Sequence, residues 1–237
     1  MKEWTIIHKT ITHSTNDDAI IYSERAEHKK FVVLAEQQTQ GRGRRGRNWI
    51  GENGNLFASL GIVYPLNRCG DLAFIASLAV AQTILDLSPK EDIKIKWPND
   101  VLVRNHKISG ILIEKGANDY LIVGIGVNIS SAPSLDNTAY KATSLQDIYI
   151  SIGCSDFLES LLNNFDLLME ENIRHGFAPI RNKWLKYAAA IGKEIKIMQE
   201  QTTKKGIFSG IDDNGRLLLQ TDDKIEKISA GDVFIIQ

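Results

Sequence analysis

Asp71 and Asp86 bracket fourteen uncharged residues, Leu72 to Leu85, rich in Ala, Leu and Ile. A helix of that length that is apolar on every side must be buried. The chain therefore has to supply a sheet for it to lie on, and short apolar runs on both sides do so. Trp4 to His8 reads as a strand, and Phe31 to Ala35 as a buried one. Leu56 to Tyr64 is another. Ile93 to Trp97 alternates Ile and Lys, a half-exposed strand stopped by Pro98. Val101 to Val103 and Ile108 to Glu114 flank the turn-like Arg104-Asn105-His106, and Tyr120 to Ile129 follows. Four strands beside helices on either flank predict a mixed sheet with helical cover.

Near the start, Ser14-Thr15-Asn16 precedes Asp17, Asp18 and a helix-like run to about Lys29. Ser14…Asp17 and Thr15…Asp18 both have capping-box spacing. Later, Phe157, Leu158, Leu161, Leu162, Phe165, Leu168 and Met169 follow helical spacing, and a further helix is expected over Ile180 to Ala190. At Gly192 the texture changes. Five short runs (194–198, 206–211, 216–220, 224–228, 232–236) are divided by Lys204-Lys205, Asp212-Asp213-Asn214-Gly215 and Gly231. Asn214-Gly215 between apolar runs signals a hairpin. Short strands at this spacing predict a small barrel, with domains at 1–190 and 191–237. The fold class is α/β, of the α+β type.

Charge narrows the function. With 28 basic against 29 acidic residues, the chain does not resemble a nucleic-acid-coating or polybasic membrane protein. Its longest uncharged stretch, Tyr120 to Leu135, holds Asn and several Ser and falls short of the ~18–20 apolar residues of a membrane span. Met1-Lys2-Glu3-Trp4 has no apolar signal core behind it, so a cytoplasmic location without membrane attachment is expected. Cys69 and Cys154 fit no metal or redox spacing and read as reduced residues. The five histidines show no metal-ligand spacing either, so no metal ligands are assigned.

Gly41-Arg42-Gly43-Arg44-Arg45-Gly46-Arg47-Asn48-Trp49 stands against that balance. No acid occurs between Glu36 and Glu52. Glycines let the backbone approach a ligand, and arginine forks onto phosphate or carboxylate oxygens. Taken alone, the tract is equally a solvated basic loop, or an Arg/Gly segment that folds on nucleic acid. Gly41, Gly43 and Gly46 also satisfy G-x-G-x-x-G, but no helix opens there and no ribose-binding acid follows about 20 residues on, so the dinucleotide match is accidental.

Taken together, this tract, Lys96-Trp97-Pro98-Asn99-Asp100, Lys107-Ile-Ser-Gly110-Ile-Leu-Ile-Glu114 and Gly124-Ile-Gly126-Val-Asn128 resemble the biotin protein ligases over nearly the whole chain. The family joins biotin to AMP from ATP, with Mg²⁺, and passes biotin to one lysine of a carboxylase carrier domain. The resemblance implies an SH3-like β-barrel for the C-terminal part and a monomer or homodimer. Many bacterial members begin with a DNA-binding repressor domain; here the ligase-like sequence begins within the first residues, so no DNA binding is expected.

By the same resemblance, Gly41 and Arg42 match positions that hold biotin and the carboxylate–phosphate junction. Arg44, Arg45 and Arg47 match cations serving the ATP phosphates, and Trp49 an aromatic beside the adenine. Lys107 matches a stabiliser of the pentavalent transition state. Lys96 is grouped with the nucleotide site, Asn99 matches a nucleotide contact, and Asp100 is a candidate to orient or deprotonate the acceptor lysine. Ser14, Thr15 and Gln38 match the set that satisfies the ureido group of biotin, while Gly110 and Gly124 match backbone walls of its site. Asn128 matches a ribose or phosphate contact, and Thr143-Ser144-Leu145 loosely resembles a second adenine-side element. Ile50-Gly51-Glu52-Asn53-Gly54 is shorter than its counterpart in the family. Two other functions are carried: a lipoate–protein ligase of the same fold, and a nucleic-acid-binding module built on the arginine loop.

Overall fold

The computed structural model describes residues 4–26, 30–134, 141–199, 202–222 and 224–235. A seven-stranded mixed sheet forms its larger part, from β1 (Thr5–Thr12), β2 (Lys30–Gln38), β3 (Leu56–Val63), β4 (Ile93–Lys96), β5 (Asp100–Val103), β6 (His106–Lys115) and β7 (Tyr120–Val127), in the order β1-β2-β3-β7-β6-β5-β4. Only β1 and β2 run parallel. Their crossover is α1 (Thr15–Ser23).

Side chains alternate across a strand, and β2 uses both faces. Phe31 and Val33 pack with Ala19 of α1, Tyr120 and Ile122 on one side. Val32 and Leu34 belong to the main core on the other, with α2 (Cys69–Leu87), α3 (Cys154–His175) and α4 (Phe177–Tyr187). The expected apolar helix is α2, with twelve residues buried. By length and composition the segment Leu66–Leu87 is apolar enough to cross a membrane, but most of it is core. The predicted stripe of α3 buries Phe157, Leu161 and Phe165 completely. Each such side chain contributes about 1.5–3 kcal/mol.

Two readings of the first helix need correction. Rather than running to about Lys29, α1 ends at Ser23; 27–29 lie outside the described residues. The reason lies in the 117–118 turn. Asn118 Nδ2 donates to the carbonyls of Ser23 and Glu24, and Ser23 Oγ accepts from Ala117 N–H while donating to Ile20 O. The carbonyls that would continue the helix are thus taken. Nor is there a capping box: Ser14 occupies the N-cap position without a side-chain bond to the helix. Asp18 accepts from Thr12 Oγ1 instead.

The C-terminal part is a five-stranded antiparallel sheet of β8 (Glu194–Met198), β9 (Thr203–Ile211), β10 (Leu217–Gln220), β11 (Ile225–Ile228) and β12 (Asp232–Ile235), ordered β11-β10-β9-β8-β12. The five expected runs are these strands. Asp212 Oδ1 accepts from Asn214 N–H and Arg216 N–H and so closes the Asn214-Gly215 turn, where Gly215 has φ +73°. A Cβ there would come within 2.8 Å of Phe74 on α2. Trp97 Nε1 donates to Gly215 O at 3.1 Å, and Ala189 N–H donates to Ile95 O at 3.0 Å. The small sheet is therefore seated against the β4 end of the large one.

Candidate active site

A cavity of about 370 Å³ opens over β6 and β7. Ser14, Thr15, Gln38, Arg42, Arg44, Arg47 and Trp49 line it from the first half of the sheet and the arginine loop. Lys96, Asn99, Asp100, Lys107, Gly110, Gly124 and Asn128 line it from the second. The expected site residues are thus brought together, with two exceptions, Gly41 and Arg45, which do not line it. Gly41 is buried beside Trp49, where a Cβ would lie 2.5 Å from Trp49 O. Arg45 points to the C-terminal sheet.

The loop is closed on itself. Gly43 N–H donates to Arg47 O at 2.7 Å and Trp49 N–H to Gly41 O at 2.8 Å, with a 3-10 turn at Arg44–Gly46 between them. Arg45 is left-handed there, at φ 55° and ψ 42°. Three of the four guanidiniums already have carboxylate partners. Arg42 forks onto Glu114 with both bonds at 2.8 Å, and also meets Asp17 at 2.5 Å. The bond to Glu114 pushes its pKa further up. Arg47 meets Asp232 at 2.8 Å, and Arg45 meets the same carboxylate at 3.2 Å and Met198 O at 3.1 Å. Arg44 is different. Its hydrogen bond runs to the neutral Asn99 Oδ1 at 3.3 Å, and burial holds its pKa below the ordinary value. Of the loop cations, Arg44 is the one turned to an uncharged partner inside the cavity.

The β4–β5 turn and β6 supply two more cations. Lys107 Nζ sits 2.6 Å from Asp100 Oδ1 and 5.5 Å from the centre of the Trp49 ring. Lys96 is held below the ordinary lysine range by burial, which the nearby Asp100 opposes. Asn99 Nδ2 donates to Ile111 O at 2.6 Å, fixing its oxygen toward Arg44. The cations thus converge where desolvation makes an incoming anion most welcome.

The cavity-lining glycines also make room for neighbouring side chains. Gly110 and Gly126 face each other across β6 and β7, and Trp49 lies on that bare backbone. A Cβ at Gly126 would fall 2.3 Å from Trp49 Cε2, and one at Gly110 2.9 Å from Cζ3. Gly124 makes room for Asn16, whose Oδ1 would be 2.2 Å from a Cβ there. Two polar atoms are buried here without a hydrogen-bond partner, Trp49 Nε1 and Asn128 Oδ1. Asn128 Nδ2 donates to Thr143 O, so its oxygen is the part left for a ligand. Ser144 caps the short turn after it, exchanging bonds with Asp147, and Thr143-Ser144-Leu145 stands behind the cavity rather than lining it.

At the far end, Gln38 Oε1 accepts from Thr15 N–H at 2.8 Å and lies 3.0 Å from Thr15 Oγ1. Sequence reasoning assigns no site role to Asn16, Asp17, Ser59, Glu114 or Asp232. Asn16 adjoins Ser14-Thr15 and was within reach of motif reading. Ser59 and Asp232 sit in strands whose patterns announce only burial and exposure.

No group of three or more His, Cys, Asp or Glu that could hold a metal occurs among the described residues. Asp100 and Asp232, the carboxylates lining the cavity, are both paired with cations. Among the described residues the cavity therefore has no all-protein cage for a magnesium ion.

Fold and cavity together define an α/β protein with a cation-lined ligand cavity. Residues 7–129 match the Biotin/lipoate A/B protein ligase family, and 190–235 the Biotin protein ligase C terminal domain. The chain is 36% identical to a biotin–[acetyl-CoA-carboxylase] ligase of Paracoccus denitrificans, over 94% of its own length and 97% of the relative's. It is 33% identical to the bifunctional ligase/repressor BirA of Bacillus subtilis, over 96% of its own length and 73% of that protein's. The structure of a biotin protein ligase from Aquifex aeolicus in complex with biotin and ATP superposes with a TM-score of 0.85 at 25% identity, covering 98% of this chain and 99% of that one. The chain belongs to the biotin protein ligase family.

Proposed function

We propose that the cavity activates biotin with ATP and passes it to a lysine of a biotin carboxyl carrier domain, each residue acting as follows. The chain is a biotin–[biotin carboxyl-carrier protein] ligase. Biotin's carboxylate oxygen attacks the α-phosphorus of ATP, the bond to pyrophosphate breaks, and biotinyl-5′-AMP forms. The acceptor lysine's amine then attacks the acyl carbon, and AMP leaves with the electron pair. The first step brings two anions together. At 4 Å they repel by about 4 kcal/mol at an effective dielectric of 20, and about 1.4 kcal/mol is tenfold in rate.

Arg44, Lys96 and Lys107 answer that repulsion. Lys107 serves the pentavalent phosphorus, and Arg44 and Lys96 the phosphates; Asn99 orients Arg44 and contacts the nucleotide. Asn128 takes a ribose hydroxyl on its orphan oxygen. Trp49 offers its ring to the adenine. Thr15, Ser14 and Gln38 hold the ureido group, with Gly110 and Gly124 as walls. Arg42 and Gly41 close the biotin end, with Arg42's charge already compensated by Glu114 and Asp17. Arg45 and Arg47 keep the loop seated on Asp232 until phosphates compete for them. Asp100 releases Lys107 and then orients the acceptor amine. Mg²⁺ would supply further charge neutralisation to the nucleotide when bound. The two sheets work as separate domains divided near residue 190, in a cytoplasmic protein that binds neither DNA nor membrane and acts as a monomer or homodimer.

The convergence of Arg44, Lys96 and Lys107 on a cavity that Thr15 and Gln38 also line carries this reading. A lipoate ligase would have no use for the polar end, since a dithiolane leaves those buried groups unsatisfied. A nucleic-acid module would present its arginines outward, whereas Arg42, Arg45 and Arg47 are held by carboxylates. The test is pyrophosphate exchange into ATP with biotin or lipoate, followed by transfer to a carrier domain. Exchange with biotin and one covalent biotin per carrier are expected; exchange with lipoate alone rejects the reading.

A further inference from the structure

From the cavity wall at Thr15 and Asn16 back to Ser59 and Glu114 runs a line of hydrogen bonds that no motif contains as a unit. Glu114 Oε2 accepts from Asn16 Nδ2 at 2.7 Å, and Asn16 Oδ1 faces Ser59 Oγ at 2.5 Å. Ser59 Oγ in turn lies 2.8 Å from Thr15 Oγ1. Ser59 is fully buried and Asn16 nearly so. Gly124 leaves the space that Asn16 fills.

Counting protons along the line gives it a direction. A carboxylate only accepts, so Asn16 must turn its NH₂ to Glu114 and its oxygen to Ser59. That oxygen also only accepts, so Ser59 spends its one proton there. Ser59 can then only accept from Thr15. Gln38 Oε1, already taking Thr15 N–H, is likewise an acceptor for the Thr15 hydroxyl. Whichever of the two it chooses, Thr15's single proton stays inside the protein. Thr15 lines the cavity and Ser59 does not, so all that this hydroxyl can still offer a ligand is a lone pair.

We propose that Ser59, Asn16 and Glu114 are positioning residues that make Thr15 an obligate acceptor, so that this end of the cavity selects a ligand bearing an N–H donor. The same Glu114 forks onto Arg42, so one carboxylate sets both the hydrogen-bond polarity at the ligand's ring and the seat of the arginine loop. The proposal rests on the biotin reading above and deepens it: the selected donor is a ureido N–H.

The experiment measures steady-state adenylation with biotin, and with biotin methylated at either ureido nitrogen, for the wild type, Ser59→Ala and Glu114→Gln. Ser59→Ala lets Asn16 and Thr15 reorient, and Glu114→Gln removes the charge that orders the line while keeping its shape. In Ser59→Ala, KM for biotin is expected to rise about tenfold, a loss of one good hydrogen bond's discrimination, with kcat and KM for ATP within about twofold; Glu114→Gln, which also loosens Arg42, is expected to show the same rise in KM together with a lower kcat. The preference for biotin over its N-methyl derivatives is expected to narrow. A residue that merely supported the fold would lower the melting temperature without this split. If Ser59→Ala fails to fold, Glu114→Gln decides through the preference for biotin over its N-methyl derivatives. Unchanged KM and unchanged discrimination, in a wild type that is active on biotin, overturn this inference only. A wild type inert with biotin overturns the functional reading and this one with it.

Discussion

Arg47 Nη2 lies 2.8 Å from Asp232 Oδ1, so the arginine loop of the large sheet is tied to the first residue of β12 in the small one. Arg45 shares that carboxylate. One acidic side chain therefore holds two cations of the loop.

Replacing Asp232 with Ala should free the loop without unfolding the protein. Exposed pairs of this kind contribute about 0–1 kcal/mol, so the melting temperature should move little. Trypsin should cut after Arg45 and Arg47 several-fold faster in the ligand-free variant. An unchanged nicking rate would show that the loop is held by other bonds.

Lys107→Ala should lower the rate of pyrophosphate exchange about 100-fold or more, the usual loss when one preorganised charge is removed from a transition state. It also strips Asp100 of its 2.6 Å partner, so a stability loss of about 1–3 kcal/mol should accompany it. Thermal denaturation separates the two effects. Wild-type exchange would remove Lys107 from the chemistry.

Gly126→Ala places a methyl where the indole of Trp49 lies, 2.3 Å from Cε2. Overpacking of a site that cannot give way costs about 1–3 kcal/mol, and relief here requires the ring to lift off the sheet. A lower melting temperature and a change in tryptophan emission on ATP binding are expected. Unaltered emission in a stable variant would mean that the ring does not rest where the nucleotide binds.

Lys96 gives a pH signature. Burial lowers its pKa below the ordinary 10.5, so over that interval the unfolded chain binds more protons than the folded one. Stability should therefore rise with pH there, and the Lys96 contribution is unfavourable below it. An arriving phosphate reverses the preference and restores the proton. ATP binding should take up protons at alkaline pH, read as a dependence of calorimetric enthalpy on the buffer's ionisation heat. Lys96→Met should abolish the uptake; persistence in that variant would assign the proton elsewhere.

Much of this fold is legible because periodicity reports burial. The apolar run of α2, the stripe of α3 and the five C-terminal strands all follow from which faces must avoid water. Helix ends are less legible: α1 stops at Ser23 because Asn118, 95 residues away, takes its last carbonyls. The site divides the same way. Residues in dense motifs, such as Arg44, Asn99 and Lys107, could be found by their company. Ser59 and Asp232 could not, since one looks like any small strand residue and the other like any surface acid. Their importance comes from what the folded chain sets opposite them. Gly124 lines the cavity as expected, but that its missing side chain also makes room for Asn16 shows only in the fold.

The bond from Trp97 Nε1 to Gly215 O anchors the turn that carries Asn99 and Asp100 on the far hairpin of the C-terminal sheet. Sequence drift in that hairpin, though remote from every reacting atom, would thus be felt as altered nucleotide affinity before it was felt as lost solubility. A screen for activity would find hits there that a list of pocket-lining positions omits.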